Sequence, residues 1–199
     1  MINKYSCINI YEDKKKYSKL SSQILYGEKF TILRRYKDWY KIKTSYDKYV
    51  GFIKKKKFEN FVHQPTHKVS SLKAKVFLKP YKNSKVRMKL SFTSLIQVKS
   101  SNKGFFSFDN YWIQKSDVVP LSYKEKIFQR IKIFRNVKYK WGGKKFDGVD
   151  CSGLIQLFYK FNNLYCPRDT GPQFKYFKKL RSIKKNAIIF WKGHVAVCL

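Results

Sequence analysis

Cys151 stands where a reactive thiol would be placed. Glycines precede it at Gly142-Gly143 and Gly148, and an apolar run follows with Leu154, Ile155, Phe158 and Phe161 at helical spacing. That spacing predicts a helix starting at Cys151. A thiol in the first turn of a helix faces unpaired backbone N–H groups and the positive end of the helix dipole, which favour the thiolate. His194 follows in Gly193-His194-Val195-Ala196-Val197, a β-strand pattern next to a glycine turn. A thiol with an imidazole in reach is the equipment of nucleophilic acyl transfer. Each residue alone has a plainer use, the cysteine as a small buried hydrophobe and the histidine as a structural side chain.

Several elements must position this pair. Ala187-Ile188-Ile189-Phe190-Trp191, a turn at Lys192-Gly193, and His194 to Cys198 predict a β-hairpin. Upstream, Ser122-Tyr123-Lys124-Glu125 has the form of a capping box, and Ile127, Phe128, Ile131 and Phe134 predict a helix over 123–135. The last third therefore mixes α and β. Residues 1–62 alternate in the strand manner at Phe30-Thr31-Ile32-Leu33 and Trp39-Tyr40-Lys41-Ile42-Lys43, with a turn at Asp47-Lys48 and a short strand at Tyr49-Val50-Gly51-Phe52-Ile53. Pro65 marks a linker over 63–68. Over 69–119 the strand rhythm returns at Ala74 to Leu78, Leu95 to Val98, Phe105 to Phe108 and Tyr111 to Gln114. The similar placement of Tyr49-Val50-Gly51-Phe52-Ile53 and Tyr111-Trp112-Ile113 near the end of each block suggests a diverged repeat of two small all-β barrels.

Composition bounds what these elements can do. The 199 residues are 43% hydrophobic and 18% aromatic, enough for packed cores and unlike a disordered chain. Forty-five Lys+Arg against 12 Asp+Glu give a net charge of +33. Such a field attracts polyanions, nucleic acid among them. The lysines are spread along the whole chain beside abundant Asn, Ile, Phe and Tyr, as a drift toward AT-rich codons produces, and no aromatic–basic motif for specific nucleic-acid recognition is present. Cys7, Cys151, Cys166 and Cys198 form neither a disulfide framework nor a metal-ligand pattern. Reduced thiols, the absence of an apolar signal core and of any 18-residue apolar run point to a cytoplasmic protein without a membrane span. A monomer needing no cofactor or metal is expected.

The ordered set Tyr139-x-Trp141-Gly142-Gly143, Gly148-x-Asp150-Cys151-Ser152-Gly153-Leu154, Pro167-Arg168-Asp169-Thr170 with Gln173, and Phe190-Trp191-x-Gly193-His194-Val195 resembles the NlpC/P60 cysteine peptidases over about residues 120–199. The upstream blocks resemble bacterial SH3 (SH3b) domains through Trp39-Tyr40-x-Ile42 and Tyr49-Val50-Gly51-Phe52-Ile53. The arrangement is similar to the γ-D-glutamyl-L-diamino acid endopeptidases of the dipeptidyl-peptidase VI type, which cleave peptide stems of murein. The resemblance implies an α+β, papain-like catalytic domain over 120–199, C-terminally short, behind SH3b-like units at 1–62 and 69–119. It implies Cys151 as nucleophile, His194 as base and Tyr139 as an oxyanion donor. It implies Asp150, Ser152 and Thr170 as residues that bind the substrate, the first two at the free amine of its L-Ala. Other uses stand beside these: Asp150 as a helix cap, Tyr139 as packing, Arg168–Asp169 as a structural ion pair.

The family orients its histidine with a third polar residue on the strand after Gly-His-Val. This chain ends at Leu199, five residues past His194, and Asn186-Ala187 replaces the family's Gly-Asp. His63 and His67 lie in the expected linker. Two readings are therefore carried forward: a cysteine peptidase of cell-wall recycling or turnover, its activity open to impairment by the missing residue, or an inactive truncated relative that binds cell-wall fragments.

Overall fold

The computed structural model describes residues 1–58 and 64–199. The first part is an antiparallel sheet of β1 (Cys7–Tyr11), β2 (Leu20–Leu25), β3 (Phe30–Arg35), β4 (Trp39–Thr44) and β5 (Val50–Lys54), in the order β2-β1-β5-β4-β3. Alternation drives it: Ile8, Ile10, Ile24, Tyr40, Ile42 and Ile53 point inward around Phe30, and the residues between them face outward. The expected turn at Asp47-Lys48 joins β4 to β5, with Lys48 at φ +59°.

The second part contains β6 (His67–Val69), β7 (Lys73–Phe77), β8 (Val86–Ser91), β9 (Leu95–Ile96), β10 (Ser100–Asn102), β11 (Phe105–Phe108), β12 (Tyr111–Gln114) and β13 (Val118–Pro120). Five of these form a sheet in the order β10-β11-β12-β7-β8. Read from its other edge, β8-β7-β12-β11-β10, this is the strand permutation of the first sheet, with β12 in the central place held there by β5. A separate small sheet, β13-β6-β9, closes the unit. His67 and Lys68, expected in the linker, thus begin a paired strand; residues 59–63, including the expected boundary at Val62 and His63, lie outside the described residues.

The last part holds the short pair β14 (Lys144–Lys145) and β15 (Gly148–Val149), helix α1 (Cys151–Phe161), helix α2 (Thr170–Tyr176), and the hairpin β16 (Ile188–Trp191) and β17 (His194–Val197). Helix α1 follows the predicted spacing, with Ile155, Phe158 and Phe161 buried. The helix expected over 123–135 does not form. The segment has turns and a single 3₁₀ stretch at Ile131–Phe134. Phe128 sits at φ +68°, outside helical space, so that its ring packs on Phe158 and Tyr159. The capping box also finds other partners. The Glu125 N–H donates to Asn162 Oδ1 at 2.8 Å, and the Glu125 carboxylate accepts from Arg130 at 2.6 to 2.9 Å.

All three parts meet at α1. Leu25 from β2 and Phe92 after β8 join the cluster of Phe134, Leu157, Phe158 and Phe161, and Phe92 stacks on Phe161 with ring centroids 4.6 Å apart. Full burial of each such ring contributes about 1.5–3 kcal/mol. The helix that begins with the candidate nucleophile is therefore anchored by both upstream sheets.

Candidate active site

Asp150 has extended backbone angles, φ −93° and ψ 172°, and its Oδ1 accepts the Gly153 N–H at 2.7 Å, so it caps α1. Cys151 becomes the first residue of the helix. A side chain at Gly153 would place its Cβ 2.6 Å from Asp150 Oδ1 and 2.7 Å from Gly143 O, so only glycine lets the cap close. Gly142, at φ +70° and packed on the Leu20 carbonyl, turns the preceding chain so that its own N–H donates to Asp150 Oδ2 at 2.8 Å.

Beneath the cap lies Arg168, 3% exposed. Its guanidinium donates to Asp150 Oδ1 at 3.0 Å and Oδ2 at 2.7 Å, to Ser152 Oγ at 3.1 Å and to Ser22 Oγ of β2 at 3.0 Å. The buried ion pair of this region is therefore Arg168–Asp150, and the Arg168–Asp169 pairing is corrected. A forked guanidinium matches both carboxylate oxygens at once, while Asp169 turns toward the cleft. With four donors on its two oxygens, Asp150 has its acceptor capacity taken up by the protein.

Tyr139 is set beside this corner by backbone pairing. It bridges to Val149 in the parallel sense, and Lys140 N–H donates to Val149 O at 3.1 Å. Partial desolvation raises its phenol, and the neighbouring Cys151 and Asp150 raise it further, Cys151 also through a hydrogen bond. The Cys151 Sγ lies 3.9 Å from Thr170 Oγ1 at the start of α2. His194 opens β17, directly paired with Trp191 across the Lys192-Gly193 turn. Val195 is buried against the α1 cluster, so alternation sends the His194 ring to the other face. There it packs 4.8 Å from the Trp191 ring and 6.3 Å from the Tyr139 ring, centroid to centroid.

A cleft of about 300 Å³ brings these residues together. Tyr139, Asp150, Cys151, Ser152 and Thr170 all line it, and Gly193 brings the His194 turn to its edge. Of the six residues singled out in the sequence, five line the cleft directly and His194 borders it through Tyr139. The cleft is also lined by Glu12 just after β1, Ser21 within β2 and Tyr49 before β5, none of them singled out in the sequence for the site, and by Trp141 and Asp169, which belong to the motif but carry no assigned place in the site. Glu12, Ser21 and Tyr49 come from the first sheet, and nothing local in their sequence signals a role more than a hundred residues away. Asp169 is visible in the motif, where an ion pair with Arg168 is one use its sequence offers. Burial raises its carboxyl, Arg168 opposes this, and Asp150, Asp47 and Glu12 raise it further, as expected where acids crowd together. Three of the chain's 12 acids therefore meet at one cleft of a molecule with net charge +33.

Residues 136–199 match the model of the NlpC/P60 family, and residues 10–58 match that of the bacterial dipeptidyl-peptidase Sh3 domain. The chain is 29% identical over 192 residues to the gamma-D-glutamyl-L-lysine dipeptidyl-peptidase of Bacillus subtilis strain 168, covering 86% of this chain and 64% of that one. It is 23% identical over 182 residues to the protein of the same name from Bacillus cereus ATCC 10987, covering 78% and 54%. The chain thus spans somewhat under two thirds of the length of these curated relatives. The crystal structure of an NlpC/P60 family protein from Bacillus cereus ATCC 10987 superposes with a TM-score of 0.83 at 18% identity, covering 98% of this chain and 86% of that one. That likeness establishes the shared fold.

Proposed function

Since the chain carries an NlpC/P60 domain behind a bacterial SH3 domain, we propose that it is a cysteine peptidase that hydrolyses the γ-D-glutamyl–diamino acid bond of murein stem peptides. One observation carries the reading: the cleft that gathers Tyr139, Cys151, Ser152 and Thr170 also concentrates Glu12, Asp150 and Asp169. A thiol with a phenol beside it serves acyl transfer. Carboxylates lining the same cleft of a strongly basic protein suit a substrate that presents an ammonium group. The names of the two Bacillus relatives support the same substrate class.

In this mechanism the Cys151 thiolate attacks the scissile carbonyl carbon and His194 takes the thiol proton. The Tyr139 hydroxyl and the open N–H groups of the first turn of α1 donate to the oxyanion. Collapse expels the amine, which receives its proton from His194, and water then releases the thioester. Glu12 and Asp169 face the substrate's free α-amine. Asp150, its charge met by Arg168 and its oxygens already engaged, caps the helix; Arg168 holds the Ser152 hydroxyl at 3.1 Å, and the Thr170 hydroxyl stands 3.9 Å from the thiol. Residues 1–62 and 69–119 serve as two SH3b-like units, the repeated strand order supporting the second, and the catalytic domain covers 120–199. Four free thiols suit a reducing, cytoplasmic setting in wall recycling.

Purified protein is expected to cleave L-Ala-γ-D-Glu-L-Lys or its diaminopimelate counterpart, with turnover lost in Cys151→Ala. Tyr139→Phe should lower kcat by about 10²–10³-fold, the usual cost of one oxyanion donor. Hydrolysis that survives Cys151→Ala overturns the mechanism. Peptide binding without hydrolysis by the unaltered chain leaves the binding-module reading instead. Acetylating the L-Ala amine should cut kcat/KM at least tenfold, the effect of losing one charge-assisted contact of about 1.4 kcal/mol or more. An unchanged kcat/KM for the acetylated peptide removes the acidic wall from the account.

A further inference from the structure

A second pocket, of about 350 Å³, lies across the same wall from the cleft and has the opposite electrostatic character. Lys54, Lys56, Lys140 and Lys145 line it, and no acid does among the described residues. Lys145 is partly neutralised by Asp147 at 2.8 Å, and Lys56 lies 4.6 Å over the Tyr5 ring. Lys140 sits between Tyr139 and Trp141, both of which line the cleft, while Tyr11 faces this pocket and Glu12 the cleft. One wall thus separates carboxylates from ammonium groups.

The pocket's polar floor has a fixed direction. The Lys144 backbone N–H, which can only donate, gives its hydrogen to Gln23 Oε1 at 2.7 Å. That orients the Gln23 amide, 2% exposed, so that its Nε2 donates to Asn9 Oδ1 at 2.8 Å. Asn9 is oriented in turn, and its Nδ2 donates to the Tyr11 hydroxyl oxygen at 3.3 Å. Each amide's oxygen is turned toward the residue before it and its N–H groups toward the residue after it. The relay ends on the Tyr11 O–H, a donor, together with the second Asn9 N–H. A pocket lined by ammonium groups, whose neutral floor ends in oriented donors, matches an acceptor-only ligand.

We propose that this pocket is a binding site for a multiply charged oxyanion, carried by a phosphorylated or polycarboxylate small molecule. Its volume admits such a molecule and its lysines supply several charges. The proposal does not depend on the peptidase reading, because the occupant touches none of the residues of the proposed chemistry.

The test is calorimetric titration of the Cys151→Ala protein with pyrophosphate and, separately, with citrate, at ionic strength held constant with sodium chloride. One site is expected for at least one of the two, and which anion binds identifies the source class. Tyr11→Phe, which keeps the ring against Trp39, and Lys140→Met, which keeps the aliphatic stem against Gly148, should each weaken binding at least tenfold without lowering Tm. Lys85→Met, on an exposed position of the second unit, should change nothing. The proposal is overturned if neither anion binds, if Tyr11→Phe and Lys140→Met bind as the parent does, or if Lys85→Met weakens binding equally, as a diffuse field would produce.

Discussion

Arg168→Met is expected to destabilise the protein by about 3–5 kcal/mol, the range for stranding one member of a buried ion pair, and to abolish turnover with Cys151 untouched. The guanidinium and the Asp150 carboxylate are 2% and 9% exposed, so neither charge has water to fall back on. Without Arg168, Asp150 keeps only the N–H groups of Gly142 and Gly153, and Ser152 and Ser22 lose a shared donor. The backbone around Cys151 is then held by one cap alone. Arg168→Lys should recover only a fraction, since an ammonium cannot meet both carboxylate oxygens and two hydroxyls in the fork geometry. Asp150→Asn combined with Arg168→Met removes both charges and keeps an oxygen to cap Gly153. It should therefore be more stable than Arg168→Met alone. Urea unfolding of the three variants measures this; a midpoint for Arg168→Met within about 0.5 kcal/mol of the parent, the usual band for uninvolved surface changes, would show the pair to be dispensable.

The parts of this site that could be read from the chain are those that local chemistry builds. Asp150 before a helical apolar run is a cap whatever surrounds it, and the run itself sets α1 with Ile155, Phe158 and Phe161 inward. The hairpin carrying His194 is equally local, two alternating strands around a glycine at φ +75°. Helix α2 has little local signal, because Gly171 and Pro172 are both poor helix formers. Proline is tolerated in a first helical turn, where its missing N–H has no partner to lose, and Gln173 then locks the turn through the carbonyls of Ser152 and Pro167 at 2.9 and 2.8 Å. The expected helix over 123–135 fails for the opposite reason. Its local signal is sound, but Asn162 and Arg130 compete for both halves of the Glu125 cap, and a buried Phe128 wants a backbone angle that no helix allows. Glu12, Ser21 and Tyr49 enter the cleft only because the first sheet docks on α1, a fact held in no short stretch of sequence.

What holds that docking is a tetrad of charges, three with buried side chains and Asp47 half-buried, and its failure is the second large effect expected. Glu28, after β2, pairs with Lys160 of α1 and stands 3.9 Å from Lys144 of β14. Asp47, in the turn before β5, accepts from Gln156 of α1 at 2.8 Å. Two acids of the first sheet thus meet two lysines of the last part, with Gln156 and Lys160 one turn apart on the helix that Cys151 begins. Burial alone would raise the Glu28 carboxyl; Lys144 and Lys160, with hydrogen bonds from Lys160 and the Leu25 N–H, overcome it and hold the group below the ordinary carboxylate range. Glu28→Gln should cost about 3–5 kcal/mol at neutral pH, because Lys160 stays buried without its counter-charge. The sign of the pH dependence follows from the direction of the shift. A carboxyl whose folded pKa lies below its unfolded value of about 4.3 contributes its full stability above that value and loses it as pH falls through the folded one. The stability gap between parent and Glu28→Gln should therefore be constant from pH 7 to about 5 and narrow below about pH 4.3. A gap that stays constant down to pH 3 would show that the charge on Glu28 is not what binds the two parts. Glu28→Leu with Lys160→Met removes one ion of each sign and leaves Lys144 facing Asp47, whose carboxyl burial would raise but Lys144, Thr44 and Gln156 hold down. That double variant should recover most of the loss, as apolar replacements of buried pairs commonly do. If it is as unstable as Glu28→Gln, the shape of the interface rather than its charge balance sets the position of α1 and of the thiol at its head.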